Sequence, residues 1–224
     1  FMNKDREVVI PAEYEFADTI GPAGLAHVVK DGERFMINAK GEEVLSLRDY
    51  DDIGYAHEKI GIVRVGNYPD KKYGLIDLKT GEEILPPSLY SISAFHNGYA
   101  AASIKPDSSR FRIMGIINEK GEFTVEPIYA NISYFGNDRF KARMPDSKMP
   151  SKLIDGLGNI IYDSDFYISS LAYHEEKHFF GLQNFEKDPI EMGIIDMHGN
   201  LILPVQYTRV SDAAFNQDGL MQVE

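Results

Sequence analysis

The segment His174-Glu175-Glu176-Lys177-His178 holds the residue types most readily turned to chemistry. On a helix, two histidines four residues apart share one face and can ligate zinc, with Glu175 between them as general base for hydrolysis. That spacing has meaning only on a helix. Here the flanking residues form short apolar runs, and Ala56-His57-Glu58-Lys59-Ile60 occupies a matching link earlier in the chain. The favoured reading is a solvated polar turn, with a zinc hydrolase at His174, Glu175 and His178 as the remote alternative. Arg48-Asp49-Tyr50-Asp51-Asp52 and Asp163-Ser164-Asp165 concentrate carboxylates, but a calcium loop needs ligands at set positions around a sharp turn, and that spacing is absent. They read as turn acids. No serine stands in a nucleophile elbow and no glycine-rich phosphate loop appears. No catalytic residue, metal or cofactor is expected.

Composition narrows the partners. The 224 residues hold 35 acidic and 23 basic side chains, a net charge of −12. Nucleic-acid binders cluster Lys and Arg, so a phosphate backbone is excluded as the expected partner. An anionic membrane surface is disfavoured on the same ground. No stretch is apolar for the length of a membrane span, so insertion is not expected. The absence of cysteine removes disulfides, thiolate metal sites and a Cys nucleophile.

The elements that would position any site come from a repeat. Gly74-Leu75-Ile76-Asp77, Gly115-Ile116-Ile117-Asn118 and Gly193-Ile194-Ile195-Asp196 each lead to a glycine and then an apolar triplet. Pro127-Ile128-Tyr129 and Pro204-Val205-Gln206-Tyr207 follow two of these triplets. The turn glycines Gly41, Gly81, Gly121, Gly158 and Gly199 recur every 37 to 41 residues. A period of that size is one supersecondary unit copied in tandem. Each unit offers four short runs, β-branched or aromatic and bounded by Gly, Pro and Asn, which read as antiparallel strands. Prolines Pro11, Pro86, Pro87, Pro127 and Pro204 are expected to end the edge strands. Ile168–Phe179 shows no clean helical stripe and reads as a loop.

The expected fold is all-β. Tandem antiparallel β-meander repeats of about forty residues form a single domain over residues 1–224, with boundaries near 41, 81, 121, 158 and 199. Phe1-Met2-Asn3 aligns with a third strand and Gly219-Leu220-Met221-Gln222-Val223 with a second, so the two ends together supply a sixth unit. A six-bladed β-propeller is the first expectation and an open β-solenoid or superhelical array the second. The start at Phe1, inside a unit, fits a piece of a longer protein.

These units resemble the bacterial WG-repeat family. Tyr73-Gly74-Leu75-Ile76-Asp77 and Met192-Gly193-Ile194-Ile195-Asp196 match its name motif most nearly, with Tyr73, Met114 and Met192 in place of the tryptophan. Lys152-Leu153-Ile154-Asp155 has lost the glycine, and Phe35 replaces it in another unit. The resemblance implies β repeats in bacterial proteins, often exported or linked to the cell surface, and no catalytic residue is carried over.

Repeat scaffolds place recognition on their loops. The links between the second and third strands hold Tyr68, Asp70 and Lys72; Lys105, Asp107 and Arg110; Asp146 and Lys148; and Lys187 and Asp188. These are the candidate binding residues. Tyr14, Tyr50, Tyr90, Tyr129 and Tyr207 recur once per unit, with Phe166 or Tyr167 in the fifth, and are expected to seal neighbouring units. The expected function is a non-catalytic scaffold for a protein partner at the bacterial envelope. A carbohydrate or cell-wall binding module is the alternative, and an exported or surface location is favoured over the cytoplasm.

Overall fold

The computed structural model describes residues 1–55, 57, 59–106, 111–145, 151–174 and 177–210, with backbone alone for residues 55, 171–174 and 177. Among the described residues there is no helix. Five four-stranded antiparallel sheets follow one another along the chain, each a meander of consecutive strands. The first holds β1 (Phe16–Ala17), β2 (Leu25–Lys30), β3 (Glu33–Asn38) and β4 (Glu43–Ser46). The second holds β5 (Asp52–Tyr55), β6 (Ile60–Val65), β7 (Lys72–Asp77) and β8 (Glu83–Leu89). The third holds β9 (Ser91–Ile92), β10 (Tyr99–Ile104), β11 (Ile113–Asn118) and β12 (Phe123–Tyr129). The fourth holds β13 (Asn131–Gly136), β14 (Arg139–Arg143), β15 (Ser151–Ile154) and β16 (Ile160–Ser164). The fifth holds β17 (Tyr167–His174), β18 (Lys177–Asn184), β19 (Glu191–Asp196) and β20 (Leu201–Tyr207). The all-β class and the tandem antiparallel repeat are as expected, and this strand order is common to the propeller and the open array.

The chain divides into two compact units, Phe1–Lys105 with Asn118–Glu122, and Pro106–Ile117 with Phe123–Glu224. In each, the third strand explains the packing. Its two consecutive apolar residues point to opposite faces of a strand, and both are buried in Met36-Ile37, Leu75-Ile76, Ile116-Ile117, Leu153-Ile154 and Ile194-Ile195. In the first unit, Met36 packs in one cluster with Val63 and Ile76 of the second sheet. In the second unit, Leu153 packs with Phe180, Leu182 and Ile195 of the fifth sheet. Thus Met36 and Leu153, the first residues of their pairs, face the following sheet, and Ile76 and Ile195, the second residues of theirs, face the preceding one. Ile37 is covered by Phe1 and Ile10, and Ile194 by Val210.

The motif glycine is set by the strand beside it. Tyr73 and Leu75 pair with Leu89 and Leu85, so three residues of β8 stand opposite Gly74. β12 bulges in the same way over Gly115 and β20 over Gly193. A Cβ on these glycines would lie 2.4 Å from the Leu85 carbonyl oxygen, 2.3 Å from that of Val125 and 2.7 Å from that of Leu203. Where the glycine is missing the bulge is missing too. Phe35 and Met36 pair with the consecutive residues Ser46 and Leu45, and Lys152 and Leu153 with Asp163 and Tyr162.

Pro86, Pro87, Pro127 and Pro204 therefore lie inside β8, β12 and β20, not at their ends as expected. An edge strand tolerates proline at a bulge, because no ladder hydrogen bond is lost there. The expected loop at Ile168–Phe179 is also corrected, since it forms most of the β17–β18 hairpin. A register shift between Ser170 and Ala172 inserts Leu171 and breaks the alternation that marks a strand.

Four of the five third strands end in the same turn; after β7 the turn is one residue longer, and Asp77 accepts the Lys79 and Thr80 amides at 2.8 Å. Asn38 Oδ1 accepts the Lys40 and Glu42 amides at 2.9 and 3.1 Å, while its Nδ2 donates to Glu42 at 2.7 Å. Asn118 repeats this with Glu122. Asp155 and Asp196 use the complementary pairing, accepting from the Asn159 and Asn200 side chains. Asn3 donates to Glu7, as Asn38 does to Glu42, beside a Met2–Val8 bridge, so the N-terminal residues form the third-to-fourth-strand turn of a further copy. The expected closing strand Gly219–Val223 lies outside the described residues.

Candidate functional site

The links between second and third strands differ from every other turn in the fold. In the first sheet the link is the tight Asp31-Gly32 turn, with φ of 52° and 76°. In the other four it is longer, and each carries a large apolar side chain in solvent. Tyr68 is 84% exposed, Phe111 74%, Phe185 43% and Met144 38%. Other large apolar residues are also exposed, such as Leu157 in the Asp155 turn and Leu201 on β20, but these four share one kind of link. Their recurrence at one structural position marks a presented surface.

The strands hold the bases of these loops. The Arg64 guanidinium donates to the Gly66 carbonyl at 2.6 Å, and the Gly66 amide donates to Asp51 at 2.7 Å. Asn67 and Asp70 close the tip through a 2.9 Å backbone bond. In the fifth sheet the Glu186 amide donates to Asn184 at 3.1 Å. The Phe185 ring meets Tyr167 edge-on at 5.9 Å. Behind Tyr167 lies buried Lys141, which donates to the Tyr167 hydroxyl at 3.0 Å and the Ile168 carbonyl at 3.1 Å. Its ammonium also sits 4.1 Å from the Tyr167 ring centre and 4.6 Å from that of Phe135. Phe185 thus rests on an ordered aromatic and cationic stack.

Of the candidates read from sequence, Tyr68, Asp70, Lys105, Lys187 and Asp188 are exposed on these loops. Lys72 opens β7 and is engaged, with its ammonium 3.2 Å from the Tyr90 ring centre. Asp107, Arg110, Asp146 and Lys148 lie outside the described residues. Sequence reasoning chose Tyr68 and the charged members of the loops and passed over Phe111, Met144 and Phe185. One bulky apolar residue beside Pro, Asp and Lys in each long link was the available signal.

The zinc alternative lacks its helix. β17 ends at His174, β18 begins at Lys177, and His174 stands opposite Lys177 while His178 stands opposite Tyr173. Glu175 lies outside the described residues. His178 stacks on Phe180 with ring centres 5.2 Å apart, and burial lowers its pKa. Its ring also lies against Gly136, where a Cβ would come within 2.5 Å of Cε1. In the earlier link, His57 stands 3.0 Å from a Glu119 carboxylate oxygen. Among the described residues no group of three or more His, Asp or Glu is placed to hold a metal ion.

Two concavities belong to the first unit. One, of about 320 Å³, has a floor of Ala23, Leu25 and Leu78 with Lys59 and Lys79 at its rim. The other, about 540 Å³ and wide open, is polar and lies between Asn97-Gly98-Tyr99 and Asn118-Glu119-Lys120. The tyrosines that recur once per unit are half-buried or buried: Tyr50 packs with the Met36 cluster, Tyr14 beside Ile37 and Tyr207 beside Ile194. The Tyr50 hydroxyl donates to Glu83 at 2.7 Å, and burial together with that carboxylate holds its pKa above the ordinary value.

The family model described as WG containing repeat matches residues 1–33, 35–68, 73–105 and 114–144. Each later match starts at or near a third strand and runs into the next sheet, so the repeat spans two half-sheets. No protein of curated function matches the chain in sequence. Among solved structures, a eukaryotic initiation factor is 12% identical, with 90% of this chain and 68% of that one covered at a TM-score of 0.37. An acylaminoacyl peptidase of Pyrococcus horikoshii is 13% identical over 90% of this chain and 40% of its own, at 0.41. The tricorn protease is 12% identical over 88% and 24%, at 0.40. Likeness this distant carries no argument about what the chain does.

Proposed function

The chain belongs to the WG containing repeat family, and on that premise we propose that it is a non-catalytic recognition scaffold holding a protein partner on its second-to-third-strand loops. One observation carries the reading: four loops at one structural position each expose a large apolar side chain. Aromatic residues on a rigid support are effective binding anchors because they bury much area and lose little conformational freedom, and Met adds an adaptable apolar contact. The net charge of −12 favours a partner of basic character. The bacterial envelope is the proposed site of action, on the family resemblance alone.

The test replaces Tyr68, Phe111, Met144 and Phe185 together with serine. Bacterial envelope extracts are offered to both forms, with wall polysaccharide as competitor. The proposal expects a defined protein bound by the native chain in the presence of polysaccharide and lost from the variant, at an unchanged circular-dichroism spectrum. Equal capture by both forms refutes the loop surface. Capture abolished by polysaccharide transfers the reading to a glycan-binding module.

A further inference from the structure

In four of the repeats one position on the second strand shares a face with a buried residue of the third strand. His27, Ile62 and Lys141 stand opposite Met36, Leu75 and Leu153, and Gly181 stands opposite Ile194. Lys141 is polar there, but its ammonium is fully engaged. His27 is only 7% exposed, and its Nε2 has no hydrogen-bond partner. The scaffold does not need a polar group at this position, since Ile62 and Gly181 serve it. An unpaired polar atom in the interior costs stability, so its presence calls for a role.

Besides the second sheet, part of the cover over His27 comes from the weakest strand of its own sheet, whose Phe16 ring lies against the imidazole. β1 is two residues long, exposed along its length and joined to β2 by the pairs Phe16–Val29 and Ala17–Val28. The Glu15 amide donates to the Val29 carbonyl at 2.8 Å, and the Asp18 amide to the His27 carbonyl at 2.9 Å. The half-exposed Phe16 ring lies 5.5 Å from the imidazole. Charged groups around His27 are Asp18 after β1, Arg34 on β3 and Asp52 on β5. Asp52 is committed elsewhere, accepting the Ile53 amide at 3.0 Å and standing 3.6 Å from Arg64.

We propose that His27 and β1 form an acid-operated strap: neutral His27 keeps β1 seated, and protonation releases β1 so that the imidazolium reaches water. Release bares the outer edge of β2, a row of backbone groups open to pairing with another strand.

Burial is the largest influence on His27 and lowers its pKa below the ordinary 6.5, against the smaller opposing pull of Asp52. The released form therefore binds the proton more tightly than the seated form. Seating is complete above about pH 6.5 and weakens as pH falls below it, by up to about tenfold per pH unit for one proton.

Amide hydrogen exchange of Glu15 and Asp18 between pH 7.5 and 5.0, corrected for intrinsic rates, tests this on the full chain. Protection is expected to fall as pH drops below 6.5 in the native chain, by up to about tenfold per pH unit, and to be independent of pH in His27→Leu. Native protection that does not change with pH overturns the strap, and so does an equal acid loss in His27→Leu. Should His27→Leu not fold, the His27 ring titration in the native chain decides. A pKa below 6.5 that coincides with the loss of protection supports the proposal, and one at or above 6.5 overturns it.

Discussion

Replacing Gly115 with alanine puts the account of the motif glycine at risk. The added Cβ would stand 2.3 Å from the Val125 carbonyl oxygen and 2.9 Å from both the Pro127 nitrogen and the Phe123 ring. Two of these neighbours are backbone, so no side-chain rotation relieves the contact. An ordinary contact requires the bulge in β12 to move away by roughly 1 Å, in an interior packed as tightly as a crystal. Overpacking of this kind costs about 1–3 kcal/mol, while losing a glycine from a strand returns about 0.5–1 kcal/mol. The net expectation is a loss of about 1–2 kcal/mol, or roughly 2–8 °C in Tm for a chain of this size. Gly54 is the control. It lies on β5 outside the left-handed region, and a Cβ there meets nothing within 4 Å. Gly54→Ala should be neutral or raise stability by up to about 1 kcal/mol. Thermal and urea melts followed by far-ultraviolet circular dichroism give both numbers. A Gly115→Ala chain melting within about 1 °C of the native one, or an equal loss from Gly54→Ala, refutes the reasoning.

Ile117→Asp or Ile195→Asp puts an unpaired carboxylate where the native side chain is fully buried. A loss of more than about 4 kcal/mol and of cooperative melting is expected, and a native-like melt contradicts the packing. Arg6 has φ 64° where the other turns of its kind carry glycine, so Arg6→Gly should stabilise by about 0.5–1 kcal/mol, read from the urea midpoint. For Asp155 and Asp196, burial raises the carboxyl pKa, but hydrogen bonds from Asn159 and Asn200 and from turn amides outweigh it and leave both lowered. Bonds from the turn amides, Thr80 first, lower Asp77. The unfolded chain then binds protons first, so this stabilisation is present above about pH 4 and is lost as pH falls through the folded values. Melting points between pH 6 and pH 2.5 should show that acid limb, and it should flatten in an Asp155→Asn, Asp196→Asn double variant.

What could be read from sequence followed periodicity. Leu75-Ile76 and its copies, with Gly41, Gly81 and their successors, located the third strands and the turns after them, because two buried faces and a positive φ leave few residue choices. Three things were hidden for local reasons. Leu171 shifts the register of β17, so the alternation over 168–179 cancelled. The prolines of β8, β12 and β20 read as strand ends, because a bulge on an edge strand has no periodic signature. Phe111, Met144 and Phe185 passed as ordinary apolar residues, since exposure depends on which strand a residue follows and not on its type. His27 likewise sits at a position that Ile62, Lys141 and Gly181 fill in other repeats, and only the fold shows its nitrogen without a partner.

The two-faced third strand also sets how such a chain can change in length. One residue inserted within β7 or β19 would turn every following side chain to the wrong face and spoil two interfaces at once. A complete extra repeat disturbs neither, because each copy brings one face for its predecessor and one for its successor. Duplication is thus a small step for this architecture and a single-codon insertion in a third strand is a large one. Heritable variation in its length should come in increments of about forty residues, with smaller changes confined to the second-to-third-strand loops.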